Sequence, residues 1–355
     1  MTKEQAIRDS FAVQAHWCSK LGSPFTAQLL KGLGENLNDA TRTGRTVLHW
    51  KGQADAMGDA LALRLAGALH GLVRAGKVQE LASFYPPNPV PSKGELADAA
   101  MTAIAERDEE VFQWLAFAPQ TNEVARSGIL YPGMRLIAQK TGLPLSLFEL
   151  GASAGLNLIP DRFAYGLGGK KFGQTGSPVL LAPHWCGPDP KGSEPEIVVR
   201  RGCDTNPLDI SNPAQRARLM AYIWPDQLQR LDRAKQAIML AQENRPEIEK
   251  ADAAHWVEEN ISHARETGVT LVLFHSIAFQ YFKPQVQLRI KRHMERTGAR
   301  ATPDAPLAWL AFEQGQGQSP GLTLRLWGTE RRSDEQVRLL AKSNNAHCHK
   351  IEWLG

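Results

Sequence analysis

The residues best placed to do chemistry follow an apolar run: Leu147-Phe148-Glu149-Leu150 leads into Gly151-Ala152-Ser153-Ala154-Gly155-Leu156-Asn157. Small residues after a short buried strand let the backbone approach a ligand closely, and a helix starting at the end of the turn presents unpaired N–H groups. A nucleotide-like ligand in the crevice outside the strand ends asks for this arrangement. The dinucleotide fingerprint G-x-G-x-x-G is absent, because Ser153 and Leu156 stand where two of its glycines belong. The same residues satisfy G-x-S-x-G, the hydrolase nucleophile turn, with Ser153 at the tip and Asp252 with His275 or His347 as partners. Against a hydrolase, residues 5 to 140 read as helical, no His-Gly-Gly segment precedes the turn, and Glu149 puts negative charge near the oxyanion region.

Other polar residues recur after apolar runs. Glu196 to Arg200 leads to Asp204 and Asn206, Glu247 to Lys250 leads to Asp252 and Ala253, and Val269 to Phe274 leads to His275 and Ser276. A histidine at the carboxyl end of a strand is placed to act as a general base toward a hydroxyl or amine. Tyr281 and Phe282, just beyond, either line a substrate pocket or pack. Thr121-Asn122-Glu123-Val124-Ala125-Arg126 also reads two ways. Thr121 can cap a helix, with Glu123 in the first turn pairing Arg126 on the surface. Alternatively, Asn122, Glu123 and Arg126 offer polar groups to a substrate at the sheet's carboxyl edge. His347 and His349 flank Cys348 on one strand face, but no second pair completes a tetrahedral set, so no metal site is expected.

These residues need elements to hold them. Up to about residue 140 the periodic segments are helical: Phe25 to Leu33, Ala56 to Ala75, Lys93 to Ala105 and Glu109 to Phe117, broken by the proline-rich Tyr85 to Pro91. Strands are predicted at Leu145 to Leu150, Glu196 to Arg200, Glu247 to Lys250, Val269 to Phe274, Leu307 to Phe312, Leu322 to Trp327 and His349 to Trp353. Helices are predicted at Ala214 to Ala241, Ala253 to Thr267, Pro284 to Thr297 and Asp334 to Lys342, with Trp224-Pro225-Asp226 marking a helix break. Strands alternating with helices imply crossover units and a mostly parallel sheet. The expected organisation is a helical cap over residues 1–140 and an α/β domain over 141–355. Residues 166–195 read as a looped or hairpin-like insertion, and the tract Glu313 to Gln318 as a loop.

The strand, acid and small-residue turn resemble the first motif of the class I S-adenosylmethionine-dependent methyltransferases: apolar strand, Asp or Glu, x, Gly, x, Gly, x, Gly. Ser153 stands for the middle glycine. The resemblance implies a Rossmann-like mostly parallel sheet with helices on both faces, S-adenosylmethionine as cofactor, and methyl transfer to a small or medium-sized acceptor. It places Glu149 and the turn of Gly151, Ala152, Ser153 and Gly155 beside the methionine part, with Asn157 also binding the cofactor. It puts Asp204 with Asn206 at the ribose hydroxyls and Asp252 with Ala253 at the adenine. His275 and Ser276 occupy a fourth-strand position that faces the substrate. The long interval from Glu149 to Asp204 requires 166–195 to be an insertion. The whole chain, including Tyr222-Ile223-Trp224-Pro225-Asp226-Gln227, is also similar to a bacterial family of unknown function, which implies no substrate. A noncatalytic Rossmann-like binding or scaffold protein is the other reading.

Composition narrows the partners. In 355 residues, 43% apolar and 22% charged is ordinary for a globular enzyme and excludes a mainly disordered or collagenous chain. Lys plus Arg at 41 against Asp plus Glu at 37 leaves +4, and Arg200-Arg201 and Arg331-Arg332 are isolated pairs, so no nucleic-acid footprint is expected. The opening Met-Thr-Lys-Glu-Gln-Ala lacks the apolar core of a signal peptide, and Ala60 to Val73 is too short and polar to span a bilayer. Cys18, Cys186, Cys203 and Cys348 lie far apart without a C-x-x-C pair, which fits a reducing cytoplasm.

Overall fold

The computed structural model describes residues 2–89, 92–262, 267–315, 317–329 and 335–355; Arg331-Arg332 and Gln316 lie outside them, as do parts of the expected 253–267 and 334–342 helices. Helices come first: α1 (Lys3–Lys20), α2 (Pro24–Asn36), α3 (Arg42–Leu48), α4 (Leu61–Arg74), α5 (Gln79–Phe84), α6 (Lys93–Glu106), α7 (Asp108–Trp114) and α8 (Ser127–Thr141). Then follow β1 (Leu145–Leu150), β2 (Ala164–Leu167), β3 (Lys170–Gly173), β4 (Leu180–Leu181), β5 (His184–Cys186) and β6 (Ile197–Asp204). The remainder is α9 (Pro213–Ala221), α10 (Leu228–Asn244), β7 (Glu247–Lys250), α11 (Ala253–Asn260), β8 (Thr270–Ser276), α12 (Pro284–Gly298), β9 (Leu307–Glu313), β10 (Gly321–Trp327), β11 (Arg338–Ser343) and β12 (Lys350–Trp353). The chain divides into two compact units, one of Met1–Thr121 with Asn212–Lys235, the other of Asn122–Ser211 with Gln236–Gly355.

The first unit is all helical. Leu29, Leu30 and Leu33 of α2, Leu65, Leu69 and Leu72 of α4, and Leu96, Ala100 and Ile104 of α6 recur three and four apart and meet in one core with Phe11 and Phe25. The later segment joins it: Asp226 accepts the Ser23 hydroxyl and the Phe25 N–H (2.9 Å), supplying the acceptor that α2 needs at its start.

The second unit carries a nine-stranded, mostly parallel sheet in the order β5-β12-β11-β10-β9-β8-β1-β6-β7. From β7 through β6, β1 and β8 to β9 all pairings are parallel; β9 through β12 is an antiparallel meander, and β5 returns parallel to β12. β1 is buried along its whole length, as a central parallel strand must be. Alternation sends Leu145, Leu147, Val272, Phe274 and Leu310 to a core shared with Ile129, Met134 and Ile137 of α8. Phe148, Leu150 and Leu273 point the other way, to Trp256 and Val257 of α11 and Ile290 and Met294 of α12.

Several expectations need correcting. No α-helix follows the glycine turn; two 3₁₀ turns, Leu156–Leu158 and Pro160–Arg162, stand there. Pro160 biases Ile159 away from helical backbone, and too few residues separate Gly155 from it for a helix to nucleate. The segment 166–195 is not simply looped: β2 and β3 form a hairpin, β4 adds to it, and β5 joins the edge of the large sheet. Residues 338–343 form strand β11 rather than helix, because an apolar run this short is assigned by its partner β10, not by its own period. Residues 214–241, by contrast, form two helices that flank the break expected at Trp224-Pro225-Asp226.

Candidate functional site

The turn after β1 is held from three sides. The Ser153 N–H donates to Asp204 Oδ2 (2.9 Å), while Asn122 Oδ1 accepts from the N–H groups of Ala154 (3.3 Å) and Leu156 (2.9 Å). The N–H of Ala152 reaches the Cys203 carbonyl (3.1 Å), that of Gly155 the Ala152 carbonyl (2.7 Å), and that of Gly151 the Cys203 thiol. Every N–H from Gly151 to Leu156 is thereby used within the protein, which corrects the expectation of free donors. The glycines are explained in the same way: Gly151 has φ +66°, and a Cβ on it would lie 2.6 Å from the Ala278 Cβ. Ser153 also has left-handed backbone, at φ 55°, a conformation that non-glycine residues adopt at a cost.

Glu149 is the focus of this edge. It is buried, and its Oε2 has no hydrogen-bond partner among the described residues; the same holds for the Oγ of Ser153. Burial pushes the Glu149 carboxyl well above its ordinary range, Arg126 opposes this, and Asp204 adds to it. Burial thus favours the uncharged form of this acid. The alternation of β1 puts it on the α8 face, with Leu145 and Leu147. Asp204, two residues beyond the Gly202 that pairs with Glu149, shares that face.

The segment 122–126 turns inward rather than forming the surface pair that its spacing allows. Glu123, not Thr121, caps the 3₁₀ turn Val124–Arg126, and its Oε1 accepts the Ala125 N–H (3.1 Å). Glu123 Oε2 meets His347 Nδ1 at 3.0 Å. Arg126 donates to the carbonyls of Ser276 (2.8 Å) and Ala346 (3.0 Å), so one guanidinium joins the end of β8 to the loop before β12. Asn157 completes the cluster, accepting from the Ser127 hydroxyl (2.8 Å) and donating to the Glu123 carbonyl (3.4 Å).

His275 lies elsewhere. It pairs in register with Leu150, while Glu149 pairs with Phe274, so the histidine points to the opposite face of the sheet. There it stacks on Phe279, accepts the Trp309 indole N–H at Nε2 (3.0 Å) and meets Glu313 through Nδ1 (2.7 Å). An indole nitrogen only donates, so the ring proton sits on Nδ1 and is given to Glu313. Both nitrogens are spent, which leaves no lone pair for the expected general-base role. Glu313, expected to open a loop, ends β9 and also accepts from the N–H groups of Ala278 and Phe279; burial would raise its pKa, but His275 and these donors hold it below the ordinary value.

Among the other expected residues, Asp252 is exposed and caps α11, accepting from the Ala254 and His255 N–H groups (both 3.1 Å), with Ala253 buried beside it. Asn206 is exposed and donates its N–H to Asp204 Oδ1 (2.8 Å), Ser276 is buried at the end of β8, and Tyr281 is 62% exposed. The structure therefore brings together Asn122, Glu123, Arg126, Glu149, Ser153, Asn157 and Asp204, and leaves His275, Asp252 and Tyr281 apart. A hydrolase role for Ser153 lacks its base, since the Oγ is bonded to no histidine. The pairing of His347 with Glu123 was missed: the two lie 224 residues apart, and nothing in the local pattern joins them. Among the described residues no three His, Cys, Asp or Glu side chains gather as metal ligands, and no helix is long and apolar enough to cross a membrane.

A family model described as "Uncharacterized protein conserved in bacteria (DUF2332)" matches residues 8–353. The chain belongs to this family. No curated protein and no solved structure matches it. In this DUF2332 chain the match runs through the first helices, the β1 turn and the loop that carries His347, so the whole cluster lies within the family's span.

Proposed function

We propose that the sheet-bearing unit is a Rossmann-like fold that binds S-adenosylmethionine, and that the protein transfers a methyl group to a small or medium-sized acceptor. The single observation behind this reading is the partnerless Glu149 Oε2, at the carboxyl end of β1, where the strand order reverses between β1 and β8. Ranked along the chain, the five consecutive parallel strands run third, second, first, fourth, fifth, the order of a doubly wound dinucleotide fold, whose ligands sit at that reversal. The polar groups also discriminate. Glu149, Asp204 and Asp252 follow β1, β6 and β7 as acceptors, while the N–H groups of the turn are occupied. Such an edge suits a ligand bearing hydroxyl and ammonium donors and a positive charge, and suits a pyrophosphate poorly.

When bound, S-adenosylmethionine supplies an activated methyl group. The chain's own part is to bind and orient: Glu149 would meet the cationic end, whose positive charge would favour the carboxylate that burial alone disfavours, and Asp204, which spends one lone pair per oxygen on the Ser153 and Asn206 N–H groups, keeps others for hydroxyls. Holding the reacting partners in line is the main catalytic contribution that such a site offers. Isothermal titration with S-adenosylmethionine and S-adenosylhomocysteine is expected to show binding, with NAD and ATP giving none. Absence of heat with either adenosyl ligand at about 1 mM, which corresponds to roughly 4 kcal/mol of affinity, would overturn the reading.

A further inference from the structure

Glu149 is flanked by side chains that cannot serve it. On its face of the sheet it stands in register with Gly202 of β6 and Phe274 of β8, with Leu147 two residues back on β1. None of these donates a hydrogen bond, which accounts for a partnerless Oε2 in a residue only 1% exposed. An ionised carboxylate in such surroundings is strongly disfavoured until a counter-charge reaches it. We propose that Glu149 carries a proton in the free protein and exchanges it for the cationic group of the ligand, so that binding releases a proton and tightens as pH rises. The proposal rests on the methyltransferase reading above, and it fixes the chemistry of the group that meets the acid: an ammonium or a sulfonium.

The groups around the acid set the sign. Arg126, which ends the 3₁₀ turn before α8, favours the carboxylate, and Asp204, at the end of β6, opposes it. Arg126 also bonds the carbonyls of Ser276 and Ala346, while Asp204 accepts the Ser153 and Asn206 N–H groups. Glu123, the cap of that turn, is paired with His347 (3.0 Å), His275 lies on the opposite face of the sheet, and α8 contributes the apolar Ile129, Met134 and Ile137. Arg126 is thus set against two acids, and burial keeps the Glu149 proton in place well above the ordinary carboxyl range. In the exchange the carboxyl O–H bond breaks, its electron pair stays on the carboxylate, and the proton passes to solvent. The ligand's charge then replaces the proton as the neutralising group. A neutral ligand group would instead bond the protonated acid and release nothing. Because the free protein holds the proton and the complex does not, affinity rises with pH between the ordinary and the raised value.

Isothermal titration of the full chain in two buffers of different ionisation enthalpy counts the protons released on binding. S-adenosylmethionine and S-adenosylhomocysteine are titrated separately between about pH 5 and pH 7, where their own α-amino group stays protonated. At about pH 6 the wild type is expected to release at least roughly half a proton more than Glu149→Gln, and its affinity to rise about tenfold or more across the range. Glu149→Gln keeps the shape but has no proton to give, so its affinity should be weaker at pH 7 and nearly level with pH. Should that variant not fold, the wild-type proton count and pH profile decide. Release with both ligands assigns the acid to the ammonium that they share, and release with S-adenosylmethionine alone assigns it to the sulfonium. Equal release by wild type and folded Glu149→Gln, or a wild-type affinity that stays level from pH 5 to pH 7, would overturn the exchange and leave the methyltransferase reading standing. Failure of both ligands to bind would overturn the two together.

Discussion

An acid buried without a partner works against the fold, and for Glu149 the effect has a definite sign. The unfolded chain loses this proton near the ordinary value of 4.5, whereas burial keeps it on the folded protein well above that. Over that interval the folded state binds more protons, so stability falls as pH rises, by up to about 1.4 kcal/mol per pH unit. Glu149→Gln removes the titration and keeps the shape. Its stability relative to wild type should be near parity at pH 4 and grow as pH rises above 4.5 in urea melts; parallel pH profiles would refute the raised carboxyl. Glu149 and its small-residue turn were readable in the sequence because type and spacing are local. The roles of Asn122 and His347 were not, since Asn122 acts 32 and 34 residues away and His347 is set by Glu123.

At the scale of elements, β1, β8 and β9 were legible because each is a short, largely apolar run, and β7 begins and ends at the expected residues. Where the reading failed, a neighbour decided the conformation: β11 is a strand because β10 pairs with it, and the β1 turn yields no helix because Pro160 follows too soon. Asp252 shows how one residue can satisfy two readings. It fills the N-cap of α11, a role that costs about 1 kcal/mol when the side chain is cut to alanine. Asp252→Ala should therefore lower stability by that amount whether or not a ligand binds. If the carboxylate also meets the adenosyl group, S-adenosylhomocysteine affinity should drop by a further 1–3 kcal/mol, about fivefold to 150-fold, measured on the folded variant. Unchanged affinity with reduced stability would make Asp252 a cap alone.

At the scale of the whole molecule, the helical unit is not one continuous stretch of sequence, a fact that no local pattern announces. Helix α4 needs the later segment: His70 Nδ1 meets the Ala221 carbonyl at 3.0 Å, and Tyr222 packs where a Cβ on Gly67 would lie 2.4 Å from its ring. The Tyr222 hydroxyl then donates to the Phe117 carbonyl (2.9 Å). Removing residues 212–235 would leave the His70 imidazole and the start of α2 without their acceptors and expose the side of the core that Trp224 covers. A piece comprising residues 1–140 should therefore keep helical circular dichroism but lose its cooperative urea transition, and one that also carries 212–235 through a flexible linker should regain it. The same contact sets an acid limit. Burial pushes His70 from 6.5 down to about 4, so between these values the unfolded chain takes up a proton that the folded chain refuses. Stability then falls with pH, by on the order of 3 kcal/mol at pH 4. His70→Gln, which keeps a donor for Ala221, should flatten that loss in the linked piece; a cooperative transition in 1–140 alone would show instead that the first helices are self-sufficient.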